Sequence, residues 1–138
     1  MNFIISKKQL LPSLQQIIGA IERRQTQAIL SNILIKSDDE KISLTATDLE
    51  IELISRINLQ IPENLEITLP GKKFFDICKA LPDESEIEFT VEENQVTLKT
   101  AKSRFVLASL PASDFPVLDE IDILSHFQLP QNVLKNLL

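Results

Sequence analysis

The segment Ser6–Arg24, SKKQLLPSLQQIIGAIERR, constrains this chain more than any other. Leu10, Leu11, Leu14, Ile17, Ile18 and Ile21 recur at i, i+3/i+4, i+7 without a gap. At about 100° per residue they share one stripe, the pattern of an amphipathic helix laid on a core. Ser6 offers its hydroxyl as N-cap to an orphan N–H of the first turn. Pro12 stands against an unbroken helix and predicts a kink or a later start, because its ring collides with the preceding turn. With Leu14 central in the stripe, Lys8, Pro12, Gln16, Gly19 and Arg23 take the opposite face. That face carries no acid and runs out into the pair Arg23-Arg24.

An acid-free face matters because the chain as a whole is acidic, with a formal net charge of −6. Residues 7–24 set Lys7, Lys8, Arg23 and Arg24 against Glu22 alone, and residues 71–80 set Lys72, Lys73 and Lys79 against Asp76. The remainder is strongly acidic. Such segregation is an argument about partners rather than fold. On composition alone, with only seven basic residues involved, lysines on an ordinary solvated helix face are slightly the better account.

The rest of the chain reads as short strands and one further helix. Asn2–Ile5 is a strand feeding the first helix. Ile29–Lys36, Ile42–Thr47 and Ile51–Leu59 form an antiparallel meander, broken by Asp38-Asp39-Glu40 and by Asp48. Glu66–Leu69 is a strand closed by Pro70-Gly71, and Lys72–Leu81 a second helix that Pro82 ends. In that helix Phe74, Ile77, Cys78 and Leu81 face inward, with Lys72, Asp76 and Lys79 opposite. Glu86–Val91, Gln95–Thr100 and Ser103–Leu110 are three more strands, followed by the proline-punctuated connection Pro111–Asp119. The fold class is α+β, two helices packed on one face of antiparallel sheet.

At 138 residues, with 43% apolar and 25% charged, this is one globular domain or slightly more. The N-terminus lacks the basic-then-apolar pattern of a signal peptide, and no run approaches the roughly 20 residues of a membrane span. The single cysteine, Cys78, precludes an intrachain disulfide, as suits a reducing cytosol, and its apolar helical setting marks it as a small core residue. His126–Leu138 restates the N-terminus: Phe3, Ile5, Leu10 and Leu14 match Phe127, Leu129, Leu134 and Leu138 at a constant offset of 124. The sequence stops inside what the repeat makes a helix. It is therefore expected to be part of a longer protein of repeated domains, with 1–122 the first and 123–138 the opening strand and half-helix of the second.

No catalytic constellation is present. His126 stands alone, the glycine-rich phosphate motifs are missing, and only Gly19 and Gly71 occur. Asp38-Asp39-Glu40 and Asp48/Glu50 read as an acidic hairpin turn and a solvated strand edge, not a metal site. We expect no enzyme, no metal and no cofactor. Nucleic-acid contact fits better, though not as base readout: Tyr and Trp are absent, and the seven Phe sit mostly at periodic core positions. Sparse cations on helix faces suit non-specific phosphate contact. One such domain would bind feebly, so affinity would have to come from multiplicity or topology.

FxIxxxxLLxxLQQIxGxIxxRxT at the start, ISLTATDLEIE at Ile42–Glu52, LPGKKFFDICKALP at Leu69–Pro82 and SRFVLASLPASDFPVLD at Ser103–Asp119 together resemble the bacterial sliding clamp family, the beta subunit of DNA polymerase III. The resemblance covers the whole chain. It implies a DNA-clamp fold and a non-catalytic processivity factor of the cytoplasm. Three similar domains per protomer and two protomers head-to-tail would close a ring around double-stranded DNA, without sequence readout. The basic helices would line the hole and the acidic strands the outer wall. The DNA polymerase III catalytic subunit and the clamp loader would bind in later domains, and no membrane is involved. By resemblance Arg24 is the leading DNA contact, and helix geometry adds Arg23, Lys72 and Lys79. Ser103–Leu110 resembles the strand at the ring seam: Phe105 and Leu107 would pack against the other protomer, flanked by Lys73, Lys99, Lys102 and Arg104. Core packing is the competing reading of Phe105 and Leu107, and strand parity does not separate the two. Two rivals to the clamp remain distinct. A stand-alone module binding an acidic partner predicts a monomer indifferent to DNA topology, and a small enzyme predicts a convergent polar site that the sequence lacks.

Overall fold

The structure is a computed structural model and describes residues 1–22, 26–117 and 124–138. Strand β1 (Asn2–Ser6) turns Phe3 and Ile5 inward and leaves Ile4 exposed. It runs directly into helix α1 (Lys7–Ile17), where Ser6 Oγ caps the first turn by accepting from Gln9 N at 3.3 Å. Leu10, Leu14 and Ile17 are buried, while Lys8, Pro12 and Gln16 are exposed. Pro12 sits inside the helix, so the later start is corrected. Its missing N–H leaves a carbonyl unpaired only on the solvated face, where water can serve it.

The single helix through Arg24 is also corrected. After Ile17 the chain tightens into a 3₁₀ turn, Ile18–Ala20, and Ile21 is extended at φ −94°, ψ 117°. Gly19 weakens helix propensity there, and the extended backbone carries Ile21 into the core at 4% exposure. Arg23 and Arg24 lie outside the described residues.

The expected meander forms as β2 (Asn32–Ser37), β3 (Ile42–Thr47) and β4 (Glu52–Ile57). Ala28–Ser31 is a 3₁₀ turn where a strand was expected, because Ile29 and Leu30 pack with Leu34 and Phe115 in a separate cluster. Then come β5 (Glu66–Pro70), α2 (Gly71–Ala80), β6 (Glu86–Val91), β7 (Gln95–Lys99) and β8 (Arg104–Ala108). The eight strands make two antiparallel sheets, β4-β3-β2-β5 and β1-β6-β7-β8. The order reveals two β-α-β-β-β units, each of which lends its first strand to the other's sheet. Sequence periodicity gave no sign of this exchange.

Both helices and the inner faces of both sheets share one core. Phe3 stacks on Phe89 with centroids 4.7 Å apart, and Phe74 of α2 meets Phe89 edge-on at 6.0 Å. The helices run antiparallel. Lys7, the first residue of α1, reaches the end of α2, and Gly71, the first residue of α2, packs against Ile21 just past α1. Thr68 pins the chain beyond β8 to β5: its hydroxyl donates to Leu110 O at 2.8 Å and accepts from Leu110 N at 3.1 Å. Asn32 Nδ2 donates to Thr68 Oγ1 at 3.0 Å.

Helix α3 (Gln131–Leu137) begins at the residue that the repeat aligns with Lys7. The strand expected at Phe127–Leu129 does not form among the described residues, where residues 124–138 are exposed and no neighbouring strand pairs with them. The boundary expected after residue 122 lies outside the described residues.

Candidate nucleic-acid interface

The second helix carries three exposed cations with no ion-pair partner among the described residues. On α2, Phe74 and Cys78 are buried, and Lys72, Lys73, Asp76 and Lys79 are exposed. No side chain caps its N-terminus and no acid lies in its first turn. The orphan N–H groups and the positive end of the macrodipole therefore add to Lys72 and Lys73. Those two lysines border a hollow shared with Ile21, Glu22, Ser31 and Asp76. At the other end the Lys79 ammonium stands 5.8 Å from the centre of the Phe75 ring, within cation–π range.

The first helix contributes less than its sequence promised. Lys8 is exposed but paired with Glu84 at 2.7 Å. Lys7 is only 6% exposed, so it does not belong to the solvated basic face and the charge count there is corrected. Its ammonium donates to Lys79 O at 3.2 Å and to Leu81 O, and lies 3.4 Å from Asp83 Oδ1. The spacing Lys7, Leu10, Leu14, Ile17 places Lys7 on the buried stripe, a signal that was readable and was missed.

The expected seam residues divide. Among the described residues strand β8 is an edge of its sheet, paired with β7 alone. Leu98 stands opposite Phe105 and Val96 opposite Leu107, so both face inward. Leu107 is buried in the core at 6% exposure, whereas Phe105 is half-buried against its rim. Lys99 and Arg104 are cross-strand partners on the outer face, and both are exposed, as is Lys102. Lys99 and Lys102 border a shallow groove with Ile4, Glu86 and Glu88. Lys73 lies apart in sequence, in the first turn of α2.

Both acidic motifs are turns, so the strand edge expected at Asp48/Glu50 is corrected. Asp38 Oδ1 accepts from Glu40 N and Lys41 N at 3.0 and 2.8 Å, and Asp48 Oδ1 from Glu50 N and Ile51 N at 2.9 Å each. These bonds hold both carboxyls below the ordinary carboxylate range. Leu49, at φ 79°, takes the left-handed position of the second turn, and Thr47 Oγ1 accepts from its N–H at 3.1 Å. Burial pushes the Cys78 thiol up to about 12, against a smaller opposing pull from the Lys7 ammonium. Among the described residues no group of three or more His, Cys, Asp or Glu could hold a metal ion, and no helix is long and apolar enough to cross a membrane.

Residues 1–119 match the family model described as DNA polymerase III beta subunit, N-terminal domain. The chain belongs to this family. Across its whole length it is 43% identical to the beta sliding clamp of Pseudomonas aeruginosa, of which it spans 38%. It is equally identical to a beta sliding clamp sequence from Vibrio harveyi, of which it spans 96%. The crystal structure of the DNA polymerase III subunit beta from Pseudomonas aeruginosa superposes on 99% of the chain with a TM-score of 0.93, and the chain covers 37% of that molecule. The α+β architecture is thus that of the N-terminal domain of a DNA polymerase III beta subunit. Lys72, Lys73 and Lys79 occupy a helix of that domain, and Phe105 its edge strand.

Proposed function

We propose that this chain is the first domain, with the opening of the second, of a DNA sliding clamp: a non-catalytic, cytoplasmic processivity factor of the bacterial replicative polymerase. Family membership carries the reading, and the exposed cations of α2 give it a physical basis. Lys72, Lys73 and Lys79 without an ion-pair partner among the described residues, together with an uncapped helix N-terminus, suit phosphates. Few contacts of this kind bind weakly and without sequence preference, which is what sliding needs. Retention is then the work of a closed ring. In this reading residues 1–122 form one of three similar domains and 123–138 begin the next. Lys72 and Lys79 join Arg23 and Arg24 in touching duplex DNA, with Arg24 foremost. Polymerase III and the clamp loader engage later domains.

The ring closes at β8. Its free edge can pair with a strand of another protomer, Phe105 offers the apolar part of the contact, and Lys73, Lys99, Lys102 and Arg104 flank it. Leu107 supports the strand from inside. Phe105→Ala in the intact protein is expected to shift dimer toward monomer by light scattering, and to abolish stimulation of primer extension by the replicative polymerase. A variant that stays dimeric but melts at a lower temperature would assign Phe105 to the core instead.

A further inference from the structure

We propose that Lys7 is a positioning residue, which sets the cations of α2 through the backbone of Lys79; the proposal rests on the DNA-facing reading of that helix. Lys7 lies on the buried stripe of α1, where an ammonium must be hydrogen-bonded to be tolerated. Its partners are the carbonyls of Lys79 and Leu81, left without helical partners at the end of α2. A cation is favoured there by the helix macrodipole as well. Asp83, with its side chain 89% exposed, adds little. The backbone takes part too: Lys7 N donates to Ser85 O at 2.9 Å.

The consequence is mechanical. An antiparallel helix pair needs a contact at each end to fix its slide and tilt. At one end Gly71 packs on Ile21 and Ile33, a contact without directionality. At the other end Lys7 supplies directed hydrogen bonds, one of them to the residue whose ammonium is a proposed phosphate contact. Lys7 is too buried to touch phosphate itself, so its influence must pass through Lys79.

Two readouts in the intact protein test this. The first needs no DNA: nitroxide labels at Gln15→Cys and Asp76→Cys, both exposed positions, report the α1–α2 distance, while buried Cys78 stays unlabelled. Lys7→Met is expected to broaden the distance distribution, and Lys7→Arg to restore it. The second is the salt dependence of DNA binding, whose slope falls by about 0.9 for each phosphate no longer neutralised. Lys7→Met is expected to lower the slope as much as Lys79→Ala does, with the double variant no lower than either. Should Lys7→Met not fold, Lys7→Gln keeps an uncharged amide donor and carries the same expectations in weaker form. An unchanged distance distribution overturns the proposal, as does an unchanged slope. Additive slopes overturn it as well, since Lys7 would then contact phosphate directly. Absence of salt-sensitive binding by the parent protein would instead sink the DNA-facing reading, and leave Lys7 no DNA-contacting cation to position.

Discussion

Asp48 shows how a single residue in the TATDLE motif works. Its carboxylate closes the β3–β4 turn by accepting two backbone N–H bonds, which hold its folded-state titration below the ordinary 3.8. A depressed carboxyl contributes stability above its unfolded value and loses it as pH falls through the folded one. Asp48→Ala is therefore expected to lower the urea midpoint near neutrality, with the gap from the parent closing as pH drops below the carboxylate range. A gap independent of pH would assign the loss to turn geometry alone. The sequence placed Asp38 in an acidic turn but read Asp48/Glu50 as a solvated strand edge, because Asp48 and Glu50 are spaced to share one side of a strand. It misjudged Lys7, since a charged residue at a helix start is read first as solvated, even when its spacing sets it on the apolar stripe.

Among elements, the two helices depend on a close approach at Gly71. A Cβ added there would overlap Ile21 Cδ1 and stand 3.1 Å from Ile33 Cγ1. Replacing glycine in a helix by alanine gains up to about 1 kcal/mol in propensity. Overpacking a rigid core costs about 1–3 kcal/mol, so the clash wins. Gly71→Ala should destabilise the protein in urea melts, and Ile21→Val, which removes the obstructing methyl, should recover part of the loss. A double variant no better than the sum of the singles would show that Ile21 is not the obstacle. Strand existence was legible from alternation, and β3 and β6 have the bounds their sequences imply. Strand partners were not legible: alternation sets which side chains face inward, but says nothing about which sheet β1 and β5 join. The end of α1 was missed because Ile21 continues the helical stripe in spacing while its backbone is extended.

The whole molecule separates charge by layer, incompletely. Lys72, Lys73 and Lys79 stand on α2, while Glu86 and Glu88 lie on the sheet face opposite Ile87 and Phe89. Lys99, Lys102 and Arg104 break the acidity of that wall, and in the proposed ring they belong to the seam. Composition exposed the excess of acid, and the family motifs supplied the expectation of a ring. In the proposed function the geometry of α2 links the two: a modest positive face whose weak phosphate contacts would permit sliding. In the proposed ring, retention on DNA is topological. After loading by a clamp loader, the full-length protein should remain on closed nicked circles and be lost from the same DNA once linearised. Equal retention on both would contradict a ring and reduce the cations of α2 to an ordinary binding patch.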